Sequence, residues 1–487
     1  MSSFLKTKAH SSYFYLFLGF VFLFFSNGRW ILPIAAFAAP IFLIRFLRYQ
    51  KPFNGFLILV IAGWISNIFI WKGMIPASGF FYYFLMLMMS IFISLTFVID
   101  RIFSRKVKGI ASTFVLPSVY VLMEYITVST NPSGSYGTVA HTQSSLPLLQ
   151  LISLTGIWGV TFIVLWTASV LNWLWDNPFD RVKIQQALVV FVVPVTAIIL
   201  FGQIRLSNGI EAKTVRIASI NIRKTYWDKH LDGNNDSLTQ EINNEFLADC
   251  DVAASSGGRI VFGTEEIINL PFDRENEFVE RAKVVAQKDS IYVGLPMCIF
   301  PKDFPRVPPI NKITWISPQG QLLFTYVKAK PTSGEGSYGD GVIRCFDSPY
   351  GRIGSAICFD MDFPAFIYQV HTMNIDMMLV PGNDWREITP YHTYVASFRA
   401  LEQGFNLVRA ASRGLSASFN YKGQVLSSQD FYRTDDVILY SDVPMRGQRT
   451  VYSVIGDLFA WLCIAGFVII MVSTLFRRKA DLSSTND

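Results

Sequence analysis

Ile353-Gly-Ser-Ala-Ile-Cys358-Phe-Asp-Met-Asp-Phe-Pro364 is the stretch on which the reading of this chain turns. Its apolar first half predicts a strand over 352–360, and Pro364 predicts a helix start. That strand delivers a thiol, Cys358, at its carboxyl end. Two other strand ends carry ionisable groups. Ile260-Val-Phe-Gly-Thr-Glu265 places a carboxylate just past a buried-looking strand, and Phe324-Thr-Tyr-Val-Lys328 places an amine at the end of a hairpin arm. In open α/β sheets, sites gather at the carboxyl ends of strands. A thiol, a carboxylate and an ammonium together suffice for covalent acyl transfer. The carboxylate takes the thiol proton and the thiolate attacks an acyl carbonyl. The ammonium and the backbone N–H after the cysteine stabilise the developing oxyanion. Taken singly, each group has a plainer reading: a small buried apolar thiol, a solvated strand end, a surface or capping carboxylate.

Working outward, residues 215–222 alternate as a strand and 236–254 read as a helix. A second helix at 277–289 precedes a strand at 291–299. Residues 312–328 read as a hairpin turning at Pro318-Gln319-Gly320. Strands at 376–381 and 406–412 flank a helix at 391–403. A second hairpin at 416–426 turns about Lys422-Gly423. Strands alternating with helices indicate an α/β layer architecture.

The remainder is a different material. Of 487 residues, 51% are hydrophobic, 15% aromatic and 16% charged. Soluble chains average about 25% charged residues, so the chain is too apolar to be wholly soluble, and disorder is excluded for the same reason. A span needs about 20 apolar residues. Eight are expected, at about 12–27, 30–47, 54–71, 79–99, 109–128, 156–175, 184–205 and 452–476. Ala36-Phe37-Ala38 mimics a signal-peptidase site, but apolar segments continue beyond it, so a retained first span is expected. With a cytoplasmic N-terminus, fourteen lysines and arginines flank the spans on the cytoplasmic side, against Arg29 and Lys72 in the short outer loops. By the positive-inside rule, residues 1–207 hold about seven spans, 208–451 form an outer domain, 452–476 are the final span, and 477–487 a cytoplasmic tail. The net charge of +6 is then a topology signal, and no nucleic-acid partner is expected. Of five cysteines, four lie in the outer domain, where disulfides are allowed. No Cys/His cluster suggests a metal.

The ordered motifs carry a resemblance. Phe262-Gly-Thr-Glu265, Tyr326-Val-Lys328, Gly354-Ser-Ala-Ile-Cys358 through Pro364, Asn383-Asp-Trp385, Phe398-Arg-Ala-Leu-Glu402, Leu407-Val-Arg-Ala-Ala411 and Gly414-Leu-Ser416 are similar to those of the bacterial apolipoprotein N-acyltransferases, within the nitrilase superfamily. Pro117–Glu124, Gly134-Ser-Tyr-Gly137 and Gly156-Ile-Trp-Gly-Val160 resemble that family's membrane region. The match covers roughly 110–480. It implies a polytopic α-helical membrane domain carrying an α/β nitrilase-like αββα sandwich. It also implies Glu265 as general base, Lys328 as oxyanion stabiliser and Cys358 as nucleophile. Glu335 matches a further carboxylate supporting Lys328 and Cys358. Trp227 falls where the family has a loop tryptophan near the acyl entrance.

The chain departs from the family pattern in places. Thr264 stands where proline is expected. Phe359 and Asp360 replace tyrosine and glutamate, and are taken as supporting residues. The stretch from Lys328 to Glu335 is one residue short. Glu266, beside Glu265, leaves two candidates for the base. Glu124, a carboxylate within or at the end of a span, is a candidate substrate contact, or else a partner for a neighbouring helix.

The implied reaction moves an acyl chain from a membrane phospholipid, through a Cys358 thioester, to the N-terminal amine of a diacylated apolipoprotein. It needs no cofactor and no metal, and a monomer in the bilayer of the inner membrane is expected. The rival reading is a membrane-anchored amidase that uses the same three residues and finishes with water.

Overall fold

The chain divides into two units, Met1–Ser207 with Ile455–Asp487, and Asn208–Val454. The structure, a computed structural model, describes residues 2–209, 213–223, 236–332 and 335–483.

The first unit is helical. Among the described residues, five helical segments are long and apolar enough to cross a membrane: Pro52–Ile70, Gly79–Ser104, Gly109–Thr130, Ile157–Trp175 and Arg181–Ser207. Five of the eight expected spans thus meet length and composition together among the described residues. The helix Pro33–Tyr49 has 17 residues and carries Pro40 inside it and Arg45 and Arg48 in its last turns. Two further helices, Ser2–Leu23 and Leu458–Ser483, have 22 and 26 residues and are apolar over Ser12–Leu23 and Leu458–Thr474. The expected final span, 452–476, starts late: a short turn Tyr452–Ile455 precedes the helix that begins at Leu458. Ile157–Trp175 is the most enclosed of the five. Its Val164, Leu165 and Ala168 pack with Leu43, Phe46 and Phe97 from the helices around it.

Among the described residues the second unit holds thirteen strands: β1 Thr214–Ile220, β2 Ile260–Gly263, β3 Ile268–Pro271, β4 Tyr292–Phe300, β5 Ile310–Ile316, β6 Leu322–Val327, β7 Arg344–Ser348, β8 Gly351–Ser355, β9 Met377–Asn383, β10 Asn406–Ser412, β11 Leu415–Phe419, β12 Val425–Asp430 and β13 Ile438–Pro444. They form two sheets. One runs β13-β1-β2-β4-β5-β6, with β3 also paired to β4; the other runs β12-β11-β10-β9-β8-β7. The central strands β2 and β10 are buried at every position, as parallel strands covered on both faces must be. Val215, Ile217, Phe262 and Trp315 of the first sheet meet Ile353, Met377, Leu379 and Leu407 of the second in one core. Helices Asp236–Ser255 and Glu275–Asp289 cover the outer face of the first sheet through Phe246, Phe278 and Ala282. Helix Tyr391–Gln403 covers the other through Ala396 and Ala400. The layering is helix, sheet, sheet, helix: the nitrilase-like α/β sandwich.

Three points of the sequence reading change in the structure. The strand predicted over 352–360 stops at Ser355, and Cys358–Asp362 is a 3-10 turn. The Asp360 carboxylate causes this by accepting the backbone N–H of Ile357 at 2.9 Å, which diverts the chain from the ladder. The helix after Pro364 is a single turn, Pro364–Ile367. The disulfides that an outer domain allows are not formed: all five cysteines are free thiols.

Candidate active site

Three strand ends of the second unit converge. β2 runs out into Glu265, β6 into Lys328, and β8 through Ala356 and Ile357 into Cys358. The Glu265 N–H donates to the Gly382 carbonyl of β9 at 3.3 Å, so one hydrogen bond ties the carboxylate loop to the opposite sheet. Lys328 is held by its own N–H to the Asn311 carbonyl on β5 at 2.9 Å.

Lys328 is fully buried, and Glu265 is 3% exposed. The ammonium donates to Glu265 Oε1 at 2.8 Å and to Glu335 Oε2 at 2.6 Å. Glu265 Oε1 also accepts from Asn311 Nδ2 at 2.7 Å, while Glu265 Oε2 is buried with no hydrogen-bond partner among the described residues. Glu335 is fixed in turn by the Thr332 N–H at 2.7 Å. Burial opposes the Lys328 charge, but the carboxylates of Glu265 and Glu335 hold its pKa well above the ordinary lysine value. Burial alone would raise Glu335; Lys328 brings it below the usual carboxylate value.

Cys358 sits at φ 46°, a left-handed conformation that is costly for a residue with a Cβ. The strained turn is braced by Asp360, whose carboxylate accepts from Ile357 N–H, from Lys330 N–H at 2.7 Å and from Tyr326 O–H at 2.6 Å. Asp360 thus ties the cysteine turn to both sides of Lys328. Burial pushes its pKa up to about 6, against the pull of those donors. Phe359 is half-buried and meets Phe363 edge-on, with ring centroids 5.2 Å apart. Burial, then the Glu265 charge, pushes the Cys358 thiol well above its ordinary value, while Lys328 and Arg409 pull it back. The group rests as a thiol and needs a base to react.

Glu266 points elsewhere. It adopts φ 54° and interacts with Cys298. Burial, then the neighbouring Glu265 charge, raises its pKa well above the carboxylate range.

Sequence reasoning assigned no role to a second buried cluster. Arg409, from the middle of β10, donates through Nη1 and Nη2 to both oxygens of Asp384 at 2.8 Å. Arg409 Nη2 lies 3.8 Å from Cys358 Sγ. His392 donates through Nδ1 to Asp384 Oδ1 at 2.8 Å and faces Asp362 through Nε2 at 3.3 Å. Burial opposes the imidazolium, yet Asp362 and Asp384 raise its pKa to about 9. Ligand atoms of Cys358, Asp384 and His392 lie within 4.8 Å of one another, a spacing that suits a metal ion. The donor set does not: both Asp384 oxygens are engaged by Arg409, whose Nη2 also faces Cys358 Sγ. The signal was available: Leu407-Val-Arg-Ala-Ala411 places one charge inside an all-apolar strand, and a buried charge must be paired.

Of the remaining candidates, Trp227 lies outside the described residues. Glu124, in helix Val115–Thr130 of the first unit, is buried. Its oxygens accept from Val139 N–H at 2.8 Å and Thr161 Oγ1 at 2.7 Å, the helix-partner arrangement. It also lines an apolar cavity of about 310 Å³ with Met88, Met89, Phe92, Thr127 and Tyr136.

A buried thiol, carboxylate and ammonium at converging strand ends of an αββα sandwich define an enzyme of the carbon–nitrogen hydrolase class. Residues 258–450 match the carbon-nitrogen hydrolase family model. Residues 16–170 match a second model, the apolipoprotein N-acyltransferase N-terminal domain. The chain belongs to the apolipoprotein N-acyltransferase family. The apolipoprotein N-acyltransferase of Geobacter metallireducens is 24% identical over 407 residues, covering 77% of this chain and 76% of that protein. That of Bradyrhizobium diazoefficiens is 26% identical over 373 residues, 69% and 68% of the two chains. Among solved structures, an amidase from Nesterenkonia sp. superposes with TM-score 0.40 at 17% identity, over 49% of this chain and 94% of that one.

Proposed function

We propose that the chain is an apolipoprotein N-acyltransferase working through a thioester on Cys358. It takes an acyl chain from a membrane phospholipid and delivers it to the α-amine of the diacylglyceryl-cysteine that begins an apolipoprotein. The single observation that most supports this is the buried Lys328, held between Glu265 and Glu335, in a chain whose relatives carry that name.

In the first half-reaction, Glu265 Oε2 takes the thiol proton as Cys358 Sγ attacks the phospholipid ester carbon. Because the thiol is held above its ordinary pKa, proton removal accompanies attack. Lys328 and the backbone N–H after Cys358 stabilise the oxyanion. The ester C–O bond then breaks, the departing oxygen takes the proton from Glu265, and lysophospholipid leaves. In the second half, the neutral α-amine attacks the thioester and Glu265 takes its proton. The C–S bond breaks and the sulfur recovers that proton. Glu335 positions Lys328; Asp360 and Phe359 hold the cysteine turn. Trp227 and Glu124 serve as substrate contacts.

We place the enzyme in the bacterial inner membrane as an eight-span monomer, with residues 208–451 periplasmic. The excess of lysine and arginine on one set of loops supports this orientation. Both substrates then share one leaflet, and confinement raises their effective concentration.

The test is a micellar assay of the full chain with phospholipid and a diacylglyceryl-cysteine peptide, read by mass spectrometry. Acylation of the peptide amine is expected. Ammonia release from small amides without peptide acylation would favour the amidase reading instead.

A further inference from the structure

A polar cavity of about 480 Å³ lies in the first unit, among the helix ends next to its lysine- and arginine-rich loops. The volume falls in the range of small-molecule sites, roughly 300–1,000 Å³. Arg45, Arg48, Arg101, Arg105 and Lys183 line it, against Asp100 and Asp176, an excess of three positive charges. Basic loops are expected at a cytoplasmic membrane face, but that preference asks only that the charges reach water.

Arg45 does not reach water. It is 2% exposed. Its Nη1 pairs with Asp176, which Arg48 shares, so one carboxylate serves two guanidinium groups. The guanidinium stacks 4.5 Å over the Trp175 ring. Its Nε and Nη2 are buried and have no hydrogen-bond partner among the described residues, a costly state for a charged donor. Arg105, which is exposed, donates Nη2 to the Arg48 carbonyl at 3.1 Å. Arg101 donates to the Leu47 carbonyl. Guanidinium forks match tetrahedral oxyanions in a bidentate geometry.

We infer that this cavity binds a phosphate group, with Arg45 and Arg105 as its main donors. The phosphate belongs to an anionic phospholipid head group in the adjoining leaflet or to free phosphate in the aqueous phase. The site is separate from the chemistry of Cys358 and does not depend on it.

Two measurements on the full chain distinguish the sources. Native mass spectrometry from detergent compares retention of phosphatidylglycerol with phosphatidylcholine. Thermal unfolding compares sodium phosphate with sodium chloride at matched ionic strength. Each is run on wild type, Arg45→Gln, Arg105→Gln and, as a charge-matched control outside the cavity, Lys72→Gln. Retention of phosphatidylglycerol about tenfold stronger, a difference of roughly 1.4 kcal/mol, lost in both arginine variants and kept in the control, supports the lipid source. A phosphate-specific rise in Tm with the same pattern of loss supports the free ion. Exposed Arg105 is replaceable without unfolding, so the test survives if Arg45→Gln fails to fold. A wild type with neither response, or responses unchanged in Arg105→Gln, would overturn the site.

Discussion

Lys328 and Glu265 form an ion pair out of contact with water, Nζ to Oε1 at 2.8 Å. Buried pairs of this kind are poor sources of stability, yet losing one partner is costly, about 3–5 kcal/mol. Two effects are therefore expected of Lys328→Met. Acyl-enzyme formation falls by about 10²–10³, the usual loss for an oxyanion donor, and the melting temperature drops because Glu265 and Glu335 are left uncompensated. Glu265→Gln keeps the shape, removes the base and slows acylation on a similar scale. Quenched-flow mass spectrometry measures the rates; an unimpaired Lys328→Met enzyme would remove the oxyanion role.

The two adjacent carboxylates are separable. Glu266 is turned towards Cys298, and burial and the Glu265 charge favour its protonated form. Glu266→Gln should leave the acylation rate within a few-fold of wild type, because glutamine mimics a protonated glutamate. A loss as large as that of Glu265→Gln would move the base to Glu266.

Arg409 is a positioning residue for the thiol rather than a group that meets substrate. Its Nη2 lies 3.8 Å from Cys358 Sγ and favours the thiolate. Arg409→Lys keeps a charge but loses the bidentate hold on Asp384. The pH profile of Cys358 alkylation should shift to higher pH, with a smaller loss of acylation than in Glu265→Gln. An unshifted profile would reduce Arg409 to a purely structural role.

The His392 proton gives a pH signature. Its pKa is raised from 6.5 to about 9 in the folded chain. A raised basic group contributes stability that is fully present below the unfolded value and lost as pH climbs through the folded one. Melting temperature should therefore fall between about pH 6.5 and 9, and His392→Gln should flatten that fall. Parallel curves for the two proteins would show that His392 is not the titrating group.

The apolar runs placed Glu265, Lys328 and Cys358 at strand ends, but it took the family resemblance to mark the three as one candidate set. The same apolar signal misled at Cys358. Ala356 and Ile357 read as more strand, but the Asp360 carboxylate captures the Ile357 N–H and ends it. Strands β3, β7 and β13 were not read. β7, Arg344-Cys-Phe-Asp-Ser, has one buried residue in five, so no alternation marks it. β13 is placed by its pairing with β1, far away in sequence. Asp384 and Arg409 sat in motifs already noticed, but their partnership spans 25 residues and only the fold brings them together. The hydropathy pattern also marks Ser2–Leu23, Pro33–Tyr49 and Leu458–Ser483, which with the five long apolar segments make up the eight proposed spans.

The most direct measurement is the intact mass of the full chain after incubation with a phospholipid of known acyl composition and no acceptor. Wild type should gain one acyl group, released by hydroxylamine as a thioester, and Cys358→Ala should gain none. An acyl adduct that persists in Cys358→Ala, or a wild type that never acquires one, would contradict a mechanism that passes through this sulfur.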